Sequence, residues 1–253
     1  MGELRSRIKE DFTEKDLDYL SGIIDSPYFD STNDKADAIL HEFREKNFIE
    51  LAPATNRFAV LKGNYVYKFA LDADGIKDNI NEFDMSEELQ PYVTKTYETN
   101  GLITIAEYVN LINQKEFENS IPNIREILRE LSTNYIFSDV GTIPKNFTNW
   151  GFRDDNSLVI LDYGYIWRKD PKIMFCTRSK CGGRLEYTEN FDKLYCTNCG
   201  TKYSVIDFVY RMGLPEEQFE ENKKYVDMGD LHIGLGAPGG FVKETRDHRS
   251  DIY

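Results

Sequence analysis

The chain has 253 residues, 40% of them hydrophobic and 30% charged, with a net charge of −13. This length builds one large core or two smaller ones, and the acidic surplus repels polyanions, which disfavours broad binding to nucleic acid. No apolar run approaches the roughly 20 residues that span a bilayer and the N-terminus lacks an export-signal core, so a cytoplasmic location with no membrane partner is expected. Met1-Gly2 opens like an acylation signal, but no second anchor follows it.

Residues 12–48 read as helices. Ser31 and Thr32 are capping residues, and Ala36, Ile39, Leu40 and Phe43 fall at spacings of three and four, which makes one apolar stripe for packing. From Arg57 the period changes to two: "RFAVL", a turn at Lys62, Gly63 and Asn64, then "YVYKFAL" read as a β-hairpin. "GIKDNINEFDMSEEL" returns to helical spacing through Ile76, Ile80 and Phe83, and a second hairpin follows around Asn100-Gly101. After it the chain reads as mainly helical, with a helix capped by Ser120 and Pro122 near its first turn.

Alternation along "YVYKFAL" puts Val66, Lys68 and Ala70 on one face and Tyr65, Tyr67 and Phe69 on the other. A mid-strand lysine among apolar residues needs a partner, and Glu82 on the next helix offers a carboxylate. The alternative is an edge-strand lysine in solvent. Downstream, a short apolar strand delivers Asp162 in "LDYG", with Asn149 at the start of the preceding strand. Oxygens at the two ends of one hairpin suit Mg²⁺, although Asp-x-Gly is also a common strand-ending turn.

In sequence order, a strand lysine, a helix glutamate, a hairpin, helices, then Asn and Asp-Tyr-Gly resemble the protein kinase-like fold over about Arg57 to Trp167. The likeness is greatest to divergent, aminoglycoside phosphotransferase-like proteins of tailed bacteriophages. It implies an α+β, two-lobed architecture with an antiparallel small-lobe sheet and a helical large lobe. It also implies a cleft for ATP and Mg²⁺. Lys68 would position phosphates, Glu82 would hold Lys68, Glu107, Tyr108 and Val109 would line the adenine edge, and Val66 would roof the adenine. Asn149 and Asp162 would hold the metal.

Two departures stand against that pattern. "LAPATNRFAVL" contains no glycine where kinases cover the phosphates with a Gly-rich loop, and Pro144 occupies the place five residues before Asn149 where the catalytic Asp belongs. Asp139 stands ten residues before Asn149 and serves as base only if the intervening chain loops out; otherwise its role is structural or capping.

Cys176, Cys181, Cys196 and Cys199 form two pairs separated by 14 residues, with Gly after the second cysteine of each pair. Two such knuckles make the S₄ site that Zn²⁺ prefers, and "RLEYTENFDKLY" and "TKYSVIDFVY" read as the three strands of a zinc ribbon. With all four ligands filled, the zinc would be structural. From Pro171 to Gly213 there are seven Lys and Arg against four Asp and Glu; four thiolates and one Zn²⁺ leave about +1, too weak a field for DNA binding.

The expected organisation is therefore a helical segment at 1–50, a kinase-like domain at 51–170, a zinc ribbon at 171–213 and a helix with an extended tail at 214–253. Three functions fit: a degenerate kinase-like binding or structural protein of a virion or host complex, an active ATP-dependent phosphotransferase, and a nucleic-acid adaptor working through the ribbon. A protein partner suits the first, and nucleic acid is disfavoured by the net charge.

Overall fold

The computed structural model describes residues 6–53, 55–140 and 147–223. Among these the protein is mixed α+β, with antiparallel sheets and seven α-helices. The first helices are α1 (Arg7–Asp11), α2 (Glu14–Ile24) and α3 (Thr32–Glu42), capped by the hydroxyls of Ser6, Thr13 and Ser31. Each hydroxyl accepts an N–H that a first helical turn leaves unpaired.

Then come β1 (Ile49–Pro53), β2 (Arg57–Lys62), β3 (Tyr65–Ala70), α4 (Ala73–Glu88), β4 (Thr96–Thr99) and β5 (Ile103–Glu107). The five strands form one antiparallel sheet in the order β1-β2-β3-β5-β4. Both expected hairpins are present, with Gly63 and Gly101 at φ +61° and +84° in their turns. Tyr67 and Phe69 of β3 are fully buried beneath the N-terminal segment, where Phe12 lies 5.8 Å from Phe69 and Phe48 lies 5.4 Å from Tyr67. Aromatic burial of this kind contributes roughly 1.5–3 kcal/mol per side chain, so residues 7–48 form the back wall of the sheet.

The expectation of a mainly helical segment after the second hairpin is not met. One long helix, α5 (Gln114–Leu131), follows the short strand β6 (Asn110–Leu111), and four more short strands come next: β7 (Tyr135–Phe137), β8 (Trp150–Phe152), β9 (Leu158–Ile160) and β10 (Ile166–Arg168). Strands β8 and β9 are the hairpin expected between Asn149 and Asp162, whereas β7 and β10 are new: three residues are too short to show a period. Helix α5 also starts earlier than Ser120: Asn113 accepts the Glu116 N–H while Glu116 accepts the Asn113 N–H, a reciprocal cap. Ser120 turns its hydroxyl back to the Glu116 carbonyl at 2.8 Å, and Pro122 lies inside the helix.

At the C-terminal side, β11 (Leu185–Tyr187), β12 (Lys193–Cys196) and β13 (Lys202–Ser204) make a three-stranded sheet in that order. The third strand is shorter than expected because Ser204 caps α6 (Val205–Arg211), and Val205, Phe208 and Val209 bury one helical face. The final helix, α7 (Leu214–Lys223), turns back onto the body. Phe219 is buried in the same core as Tyr67, and Gln218 bonds the Ile166 carbonyl at 3.2 Å and the Arg168 N–H at 3.1 Å. The ribbon and its helices thus pack on the 51–170 segment. The expected tail at 224–253 and the turn residue Ala54 lie outside the described residues.

Two glycines test this packing with opposite signs. A methyl group on Gly75, in the first turn of α4, would lie 2.2 Å from the Asn56 carbonyl oxygen, whereas one on Gly22 of α2 meets nothing within 4 Å. Gly75→Ala is expected to lose about 2 kcal/mol or more. Gly22→Ala is expected to gain about 0.5–1 kcal/mol. Urea unfolding of both variants checks the pair.

Candidate functional site

The centre of the site is where β3, α4 and the Asp-Tyr-Gly segment meet. Strand β3 is central in its sheet, which removes the edge-strand alternative for Lys68. Its Nζ donates to Glu82 Oε2 at 2.6 Å and to the Leu161 carbonyl at 2.8 Å. Glu82 is fully buried and accepts two further hydrogen bonds, from Arg57 Nη2 at 2.8 Å and from the Tyr163 N–H at 3.1 Å. Burial pushes this carboxyl up, but Arg57 and Lys68 outweigh it and hold it down at about 2.

Arg57 was not anticipated. Its guanidinium, 4% exposed, lies between Glu82 and Asp162, donating to both carboxylates, and Nη1 faces Asn79 Oδ1 at 3.5 Å. A signal for it existed. Arg57 is in phase with Ala59, which pairs with Lys68, so a period of two sends both cations to one face of the sheet. The neighbouring Asn56 donates from Nδ2 to Tyr165 Oη at 3.0 Å, so Asn56 and Arg57 together bind the 162–165 segment at two points.

Asp162 is half-exposed, with one oxygen bound to Arg57. Tyr163 is buried; its hydroxyl donates to the Thr94 carbonyl at 2.8 Å and lies 2.7 Å from Thr96 Oγ1. Gly164 has a steric reason: a methyl there would lie 2.9 Å from Asp78 Cβ. Asp78 is itself buried, and desolvation, opposed by Arg57 and reinforced by Asp162 and Glu82, raises its carboxyl to about 7. Burial thus favours the neutral form of Asp78 beside this cluster of two basic and two further acidic side chains.

The other expected residues divide into two groups. Asn149 Nδ2 donates to the Asp139 carbonyl oxygen at 3.2 Å, so the two come together although residues 141–146 between them lie outside the described residues. Asp139 adopts φ +64°, and its carboxyl is raised first by partial desolvation and then by Asp162. Glu107 and Val109 are engaged elsewhere. The Glu107 carboxylate holds Arg153 at 2.9 Å and the Lys95 N–H at 3.0 Å, and Val109 is buried against Gly151, where a methyl would lie 2.8 Å from Val109 Cγ2. Tyr108 is 42% exposed, and Val66 pairs with Ala106 in the sheet.

In the ribbon, the sulfurs of Cys176, Cys181, Cys196 and Cys199 all lie within 4.8 Å of one another, close enough to hold one metal ion. Gly182 and Gly200, at φ +60° and +69°, make the knuckle turns, and a methyl on Gly183 would lie 2.5 Å from Cys196 Sγ. Thr201 lies 3.2 Å from Cys199 Sγ and helps pull that thiol down to about 6; Tyr203 Oη lies 2.9 Å from Cys176 Sγ. A hydroxyl that gives its hydrogen to Cys199 favours the thiolate a soft metal needs, whereas the Cys181 thiol is raised beside its neighbouring sulfurs.

The buried Asp78 gives a pH test. Its folded carboxyl titrates near 7 and its ordinary value is 3.8, so folding binds a proton between them. Stability from this group is full below about pH 4 and is lost as pH rises through 7. Asp78→Asn is expected to be more stable than the parent by about 1–3 kcal/mol at pH 8, with the gap closing towards pH 4. Denaturant melts at both pH values measure it.

No family model and no curated protein matches the sequence.

Proposed function

We propose that this chain is a kinase-like scaffold without phosphotransfer activity, braced by one structural Zn²⁺ in its ribbon, whose role is to bind a protein partner in a phage or host complex. The likeness is supported by the five-stranded antiparallel sheet with a single helix after its third strand, by the Lys68–Glu82 pair, and by Asp162 sharing the Arg57 guanidinium with Glu82. The ribbon part rests on four clustered sulfurs set in glycine knuckles, a donor set that suits tetrahedral Zn²⁺.

The observation that carries the loss of activity is Arg57. Phosphoryl transfer needs a carboxylate free to hold Mg²⁺ and a lysine free to meet phosphate. Here a buried guanidinium holds one oxygen of the half-exposed Asp162 carboxylate, and the Leu161 carbonyl takes a bond of Lys68 beyond the one to Glu82. Mg²⁺ at Asp162 would compete with that guanidinium, and displacing it would leave a buried charge short of a partner. A second reading, an active ATP-dependent phosphotransferase, draws on one observation: Asn149 brings Asp139 to the Asp162 side of the cleft.

Calorimetric titration of the zinc-loaded protein with Mg²⁺-ATP separates the two. No binding is expected at about millimolar nucleotide, a free-energy range of about 4 kcal/mol, with one zinc per chain by elemental analysis. Micromolar, Mg²⁺-dependent binding that disappears in Asp162→Ala would overturn the proposal in favour of the phosphotransferase. Arg57→Ala is expected to destabilise the fold by roughly 3 kcal/mol, since Glu82 and Asp162 then lose a buried partner.

A further inference from the structure

Strand β7 leads directly to Asp139, and only one of its edges is paired with a strand among the described residues, by β10 through Phe137 and Ile166. At Phe137 the ribbon supplies another partner. Tyr187 Oη accepts the Phe137 N–H at 2.6 Å and donates to the Phe137 carbonyl at 2.9 Å. One hydroxyl thus satisfies both backbone groups of the residue two positions before Asp139. The Tyr187 ring also stacks on Phe137, with centroids 4.6 Å apart and planes 10° apart.

The ribbon is shaped to make this contact. Tyr187 ends β11, two residues after Leu185, which is the register partner of the metal-ligand residue Cys196. The β11–β12 turn places Phe191 at φ +57°, a strained value for an aromatic residue, and Phe191 is buried 6.0 Å from Phe137 and 5.7 Å from Tyr187. The strain is offset where that side chain reaches the body.

We infer that Tyr187 is a positioning residue that couples metal occupancy of the ribbon to the strand carrying Asp139. Metal fixes Cys196, the ladder from Cys196 through Leu185 fixes Tyr187, and Tyr187 fixes Phe137. Loss of metal frees the hairpin, and the Asp139–Asn149 edge of the cleft loosens with it. The inference rests on the reading of the four cysteines as a metal site.

Hydrogen exchange on the full chain tests it, with zinc content measured on the same samples. Removing zinc with a chelator under reducing conditions is expected to speed exchange across residues 135–140 at least about tenfold, while residues 65–70 of β3 stay unchanged. Tyr187→Phe keeps the ring and removes the hydroxyl; it is expected to retain zinc and to melt only a few degrees lower, yet to speed exchange at 135–140 and not at 65–70. If zinc removal loosens 193–204 and leaves 135–140 protected, or if Tyr187→Phe leaves 135–140 unchanged, the coupling is overturned. A chain that takes up no zinc overturns the metal reading and with it the coupling, and the Tyr187→Phe result then shows whether the clamp on Phe137 stands without metal.

Discussion

A carboxylate with no access to water holds this molecule together at its centre. Glu82 accepts from Arg57 of β2, Lys68 of β3 and the Tyr163 backbone, so one side chain of α4 joins two sheet strands to the segment after β9. A buried charge is costly unless it is paired and its lone pairs are filled. Three charge-assisted or backbone donors meet that condition here, and the carboxyl stays ionised far below neutral pH. The rest of the cleft follows from this demand: Arg57 is drawn inward to Glu82, and from there it also reaches Asp162.

On the proposed reading, this arrangement changes what the Lys-Glu pair does. In a phosphotransferase such a pair keeps an ammonium aimed at phosphate while the metal-holding carboxylate remains open. In this chain a second cation joins the network, bonding Glu82 and Asp162 together, and burial raises the Asp78 carboxyl beside it. The polar face of α4, formed by Asp78, Asn79, Glu82 and Ser86, is therefore an internal joint. Asn79, fully buried, extends it by donating to the Gly101 carbonyl at 2.8 Å in the turn between β4 and β5.

What was legible in the sequence depended on how local its cause was. The two hairpins, the stripe of α3 and the cysteine knuckles follow from turn chemistry and periodicity, and they are present where those signals lie. The Lys68–Glu82 pair was also readable, because a strand lysine and the next helix are neighbours in chain and in space. The β8–β9 hairpin was readable from the apolar run before Asp162, but strands β7 and β10 were not, since three residues carry no period. Arg57 was missed for another reason: its partners are 25 and 105 residues away, and only the fold brings them together. The start of α5 went wrong because a serine before proline was weighed above the reciprocal Asn113–Glu116 cap, which uses side chains at both ends of the first turn.

The C-terminal portion shows the same dependence on distant contacts. Read alone, a four-cysteine ribbon is a separate module, and its aromatics are its own small core. In the folded chain Tyr187 and Phe191 face Phe137, and Gln218 of α7 bonds both sides of β10. The β7–β10 ladder is only three residues long, too short to be stable by its own hydrogen bonds. Its order is supplied from outside, by a ribbon hydroxyl at Phe137 of β7 and a helix amide on β10. The segment that presents Asp139 thus borrows its rigidity from residues some fifty positions further along, and those residues in turn depend on the four sulfurs.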